Sequence, residues 1–108
     1  MVVEISPEEL ARKLDDDAPQ LIDIRPPGAF AQEHVPGALN VPMTELTSRV
    51  DDIEFGDEVV VACQIGQSSK QAVKLLSSFE GTGDTDLQSL SGGLDAWDGP
   101  VETGPAEN

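Results

Sequence analysis

The chain switches repeatedly between short apolar runs and segments in which apolar residues recur every three or four positions. The switches divide it into strands and helices. Residues 2–5 read as a first strand, and Ser6-Pro7-Glu8-Glu9 supplies a capping box with proline at the first helical position. The helix that follows runs to about Leu14, with Leu10 and Leu14 on one face and Arg12, Lys13 and Asp15 turned outward. Residues 20–24 are apolar and end at the breaker cluster Arg25-Pro26-Pro27-Gly28, which predicts a second strand. A turn carrying residues 29–34, a bend at Val35-Pro36-Gly37-Ala38 and a weak strand over 39–41 follow. Residues 44–50 suit a short helix, with Thr44 as the candidate cap and Leu46 and Val50 four apart.

Residues 58–62 form the most strand-like segment. A continuous Val59-Val60-Val61 run implies burial on both faces, as in the centre of a parallel sheet covered by helices. A helix over 67–79 is expected next, with Ala72, Val73, Leu75, Leu76 and Phe79 inward, and Gly81 and Gly83 end it. Residues 86–90 predict a last strand, and Gly92-Gly93 precedes a helical turn bearing Leu94 and Trp97. Strands alternating with helices define an α/β domain of three layers, with a mainly parallel five-stranded sheet flanked by helices. At 108 residues the chain is expected to be one domain with its core over about 3–98. The acidic tail, 99–108, lacks apolar periodicity and is expected to be flexible.

Charge narrows the partners. With 21 acidic against 6 basic residues the formal net charge is −15, which repels phosphate backbones and anionic membranes, so neither nucleic acid nor membrane is an expected partner. Such acidity is similar to the surfaces of proteins from cells that accumulate molar salt, where a Debye length of roughly 3 Å screens self-repulsion. No apolar run approaches the ~20 residues of a membrane span, and a cytoplasmic location is expected. There is one cysteine, so no disulfide forms within the chain and the thiol is expected to be free in a reducing compartment.

That residue, Cys63, stands where the apolar run meets Gln64-Ile65-Gly66-Gln67-Ser68-Ser69. A strand that ends in a tight Gly-containing loop before a helix aims backbone N–H groups and a positive helix end at an anion, which favours thiolate over thiol. The bland alternative is a small buried hydrophobe at a strand end.

Three segments resemble the rhodanese-like sulfurtransferase family, over roughly residues 3–98. They are Leu21-Ile22-Asp23-Ile24-Arg25 with Phe30 and Glu33-His34-Val35-Pro36-Gly37-Ala38; the loop opening at Cys63; and Leu90-Ser91-Gly92-Gly93 with Trp97. The resemblance implies that Cys63 is a catalytic nucleophile that becomes a persulfide, taking sulfane sulfur from a small anionic donor such as thiosulfate. Gln64, Ile65, Gly66, Gln67, Ser68 and Ser69 would form the substrate-binding loop. Asp23, Arg25 and Glu33 would support the site, with Arg25 pairing Glu33 and Asp23 holding loop backbone.

Many members of that family carry arginine inside the loop, whereas Gln64, Gln67 and Ser68 occupy those places here. With no second thiol the acceptor must come from outside: cyanide in an assay, a cellular thiol, or a thioredoxin-like or sulfur-carrier protein. A non-catalytic sulfur-relay or redox-sensing module is the alternative function. Phosphatase chemistry of the Cys-x5-Arg type does not fit, because the sixth residue after Cys63 is Ser69. No cofactor is implied, and one His with one Cys builds no metal site; His34 and Trp97 read as structural.

Overall fold

The computed structural model describes residues 2–105. Its elements are β1 (Glu4–Ile5), α1 (Pro7–Asp15), β2 (Gln20–Asp23), α2 (Pro27–Gln32), β3 (Leu39–Asn40), α3 (Leu46–Arg49), β4 (Glu58–Ala62), α4 (Ser68–Ser77) and β5 (Asp86–Leu90). The strands form one sheet in the order β1-β5-β4-β2-β3, and every pairing in it is parallel.

The valine run of β4 shows why the sheet sits where it does. Successive side chains leave a strand on opposite faces. Val59, Val61 and Cys63 therefore pack with Leu46 of α3 and Ala72, Val73 and Leu76 of α4. Val60 and Ala62 pack on the other side with Leu10 of α1, Leu94 and Trp97. All three valines are fully buried, as a central parallel strand requires. The start of α1 follows its sequence signal: Ser6 Oγ accepts the Glu9 N–H at 3.1 Å and Pro7 opens the helix.

Several expectations are corrected. Leu75, expected inward, is 42% exposed, because α4 presents only a narrow stripe of Ala72, Val73 and Leu76 to the sheet. Thr44 caps nothing: it lies within a 3-10 turn, Met43–Glu45, and α3 begins after Glu45 without a side-chain cap. Past Gly99, backbone pairing replaces apolar periodicity. His34 and Glu102 exchange two main-chain bonds (2.9 and 2.8 Å), and Gly104 donates to Ala31 O at 2.8 Å. The described part of the tail is thus tied to the segment after α2, while 106–108 lie outside the described residues. Among the described residues no helix is long and apolar enough to cross a membrane.

Candidate active site

Cys63 follows directly on β4, at the carboxyl edge of the sheet, where open α/β sheets leave room for ligands. Its residue is only 4% exposed, and Sγ is held by donors from the next six residues. Gly66 N–H reaches it at 3.1 Å and Ser69 N–H at 3.3 Å. Ser69 Oγ lies 3.3 Å away, accepting from the thiol and, once that proton has left, free to donate to the thiolate. Behind it the Ser89 hydroxyl of β5 sits 2.6 Å from Ser69 Oγ, and both serines are fully buried.

Two opposing effects set the ionisation of this sulfur. Burial pushes the thiol pKa up, but the Ser69 hydroxyl and the N–H groups of Ser69, Gly66 and, more weakly, Ile65 favour the anion and outweigh it, so the net shift is downward. A lowered thiol pKa in a ring of N–H donors makes a nucleophile that is ionised closer to neutrality than a free cysteine.

The loop aims its N–H groups inward because its carbonyls are held outward. Leu94 N–H binds Cys63 O at 2.9 Å and Asp95 N–H binds Gln64 O at 3.0 Å, so the turn after β5 fixes the first two peptide planes. That turn must approach within backbone contact. A Cβ on Gly93, which has φ +62°, would stand 2.5 Å from Cys63 O; one on Gly66, at φ +87°, would stand 2.8 Å from Gly92 N. Glycine is needed at both places for space and for conformation.

One wall of the site is a buried ion pair. Asp23 Oδ1 accepts the backbone N–H and Nε of Arg25, both at 3.0 Å, and Oδ2 accepts Nη2 at 2.8 Å. Arg25 Nη2 also donates to Glu33 O at 2.7 Å and Nη1 to Gln64 Oε1 at 3.2 Å. The expected Arg25–Glu33 carboxylate pairing is therefore corrected: the ionic partner is Asp23, and Glu33 offers only its main-chain carbonyl while its side chain faces solvent. Asn40 Nδ2 bonds Asp23 O and Arg25 O, fixing the backbone of this wall to β3.

The loop residues divide by role. Gly66 and Ser69 surround the sulfur, and Ile65 contributes its N–H. Gln64 turns away, bridging Arg25 to Asp95, whose Oδ1 accepts Gln64 Nε2 at 2.6 Å. Gln67 and Ser68 are exposed and make no hydrogen bond to Sγ. Lys70, the nearest cation in sequence, pairs with Glu4 of β1 at 3.7 Å. His34 stacks on Phe30 (centroids 3.7 Å apart), and its Nδ1 lies 2.7 Å from Phe30 O, a packing role rather than an acid/base one. Trp97 is buried in the core and donates to Pro100 O.

Sequence reasoning missed Ser89 and the N–H groups of Leu94 and Asp95. Ser89 had a faint signal. Register pairs it with Val61, so a hydroxyl on that face of a buried strand points at the same layer as Cys63.

The rhodanese-like domain family model matches residues 6–99, and the chain belongs to that family. Among its relatives it is 38% identical over 98 residues to a protein named sulfurtransferase from Allochromatium vinosum, covering 90% of this chain and 89% of that one. It is 30% identical over 91 residues to the thiosulfate sulfurtransferase GlpE of Pseudomonas syringae, covering 84% and 83%. A match of 34% identity to the uncharacterized protein YqhL of Bacillus subtilis covers 77% of this chain and 64% of YqhL, under two thirds of its length. The fold is that of a rhodanese-related protein from Thermoplasma volcanium, with a TM-score of 0.81 over 93% of this chain and 97% of that one, at 23% identity.

Proposed function

We propose that the protein is a sulfurtransferase in which Cys63 carries the transferred sulfur as a persulfide. The Cys63 thiolate attacks the sulfane sulfur of a donor such as thiosulfate; a new S–S bond forms at Cys63, the donor S–S bond breaks, and sulfite leaves with the bonding pair. The observation that carries this reading is the donor ring around Sγ, with Gly66 N–H at 3.1 Å, Ser69 N–H at 3.3 Å and the Ser69 hydroxyl at 3.3 Å. Such a ring stabilises the thiolate before attack and the persulfide anion after it. Relatives named for sulfurtransferase and thiosulfate sulfurtransferase activity support the same chemistry.

The chain has one cysteine, so the persulfide has no internal thiol to discharge into. Its acceptor is an external nucleophile: cyanide in an assay, a small thiol, or a thioredoxin-like or sulfur-carrier protein in a reducing cytoplasm. A second reading, a sulfur relay without turnover or a redox sensor, draws support from the absence of a loop arginine to speed the leaving anion. Intact-mass measurement after thiosulfate exposure separates them. A gain of one sulfur at Cys63, absent in Cys63→Ser and discharged by added thiol or cyanide with turnover, is the expected result. An unmodified chain in both dilute and molar KCl would reject the enzyme; a stable adduct that no acceptor discharges would favour the relay.

A further inference from the structure

Resting on the sulfurtransferase reading, we infer that Ser89 is a positioning residue for the reacting sulfur: it gives its hydroxyl hydrogen to Ser69 Oγ and so commits the Ser69 hydrogen to the Cys63 thiolate. The starting point is a polar group where packing alone would place an apolar one. Register sets Leu87 beside Val59 and Ser89 beside Val61, so both β5 side chains enter the layer covered by α4. Leu87 joins the apolar cluster there, with Val61, Val73 and Leu76, while Ser89 brings a fully buried hydroxyl to it. A hydroxyl taken out of water costs free energy unless it is bonded. Among the described residues its bond is the 2.6 Å contact with Ser69 Oγ, and Ser69 Oγ in turn stands 3.3 Å from Sγ.

Ser89, Ser69 and Cys63 thus form a chain of two contacts, and their hydrogens decide its direction. With a thiol, the S–H and both O–H groups compete for those two contacts, so one hydrogen finds no acceptor within the chain. With a thiolate, hydrogens and contacts match. One order then serves the anion: Ser89 O–H donates to Ser69 Oγ, and Ser69 O–H donates to the sulfur. The reverse order points the Ser69 hydrogen at Ser89 and turns an oxygen lone pair toward the negative sulfur.

Ionisation of Cys63 therefore sets the direction of the chain, and Ser89 reinforces it. A hydroxyl that accepts a hydrogen bond is polarised into a stronger donor. The backbone keeps Ser89 in place for this: its N–H bonds Val3 O and the Ser91 N–H bonds Ile5 O, both at 2.9 Å, so the first strand pins this stretch of β5. Ser89 makes no hydrogen bond to Sγ, and its influence passes through the Ser69 hydroxyl.

The test is a double-mutant cycle on Ser69 and Ser89, read by the pH dependence of Cys63 alkylation. Single-turnover sulfur loading from thiosulfate and denaturant unfolding are measured on the same chains. Ser89→Ala is expected to raise the alkylation midpoint by about half a pH unit, which leaves about threefold less thiolate below the midpoint. In a Ser69→Ala background the same substitution should leave the midpoint where Ser69→Ala alone puts it. Sulfur loading by Ser89→Ala should fall by the same factor below the midpoint and return to the parent rate above both midpoints, as a loss of thiolate alone requires. An unchanged midpoint in the folded variant, or an equal shift with and without the Ser69 hydroxyl, would overturn the inference. A loading deficit that persists at every pH would do so too, since it marks a displaced loop rather than a weakened donor. If no chain takes up sulfur while the midpoints still follow the cycle, the sulfurtransferase reading falls and the placing of the thiolate by Ser89 stands.

Discussion

The ionisation of the Cys63 thiol is set by a few neighbours, and each gives a testable consequence. Burial opposes ionisation, while the Ser69 hydroxyl and the N–H groups of Ser69 and Gly66 favour it and win. Alkylation of the folded chain should therefore rise with pH at a lower midpoint than in urea. Because the folded pKa lies below the unfolded one, the linked stability is fully present above the unfolded thiol pKa and is lost as pH falls through the folded one. Ser69→Ala removes one hydrogen bond to the anion and strips the fully buried Ser89 hydroxyl of its partner. It should move the alkylation midpoint upward and slow persulfide formation about tenfold at pH 7, the effect of ~1.5 kcal/mol. An unchanged midpoint would show that the backbone donors suffice. The cysteine, the glycine and the serine of this site could be read in the sequence, since strand, tight turn and helix are local features. Which of Ser68 and Ser69 faces the sulfur could not, because that depends on how α4 rotates against the sheet.

At the scale of elements, the loop that follows Cys63 is held between two neighbours, the end of β2 and the turn after β5. Arg25→Ala would leave Asp23, which is 1% exposed, as an uncompensated buried carboxylate and release Gln64. A loss of about 3–5 kcal/mol is expected in denaturant unfolding, larger than any direct effect on the sulfur. Equal stability with lost loading would instead place Arg25 in the chemistry. Gly93→Ala pushes a methyl group into the Cys63 and Gln64 carbonyls at a positive φ. It should displace the loop, lowering both the thermal midpoint and loading by tenfold or more in rate, an effect of ~1.4 kcal/mol at least. Unaltered loading in that variant would show that the outward carbonyl bonds do not orient the ring. The Gly-Gly step was visible as a turn, but its contact with residues 63–64 joins positions about thirty apart in the chain, which no local pattern encodes.

Across the whole molecule, the −15 charge acts on folding and on encounter alike. Raising KCl toward 1 M cuts the Debye length from roughly 10 Å at 0.1 M to about 3 Å, so both the thermal midpoint and thiosulfate loading should rise. A monotonic fall in loading at intact fold would reject that view. The α/β class, the central buried strand and the place of Cys63 at its end were determined by the sequence alone, because the valine run, the capping box and the Gly-containing turn act over a few residues. Tertiary structure decided the rest. Parallel strand order brought Ser89 behind Ser69, β2 placed the Arg25 guanidinium on Asp23 rather than the Glu33 carboxylate, and pairing with His34 tied down Glu102. Those choices depend on which distant groups meet in three dimensions, where geometry and burial select one partner among several that the sequence permits.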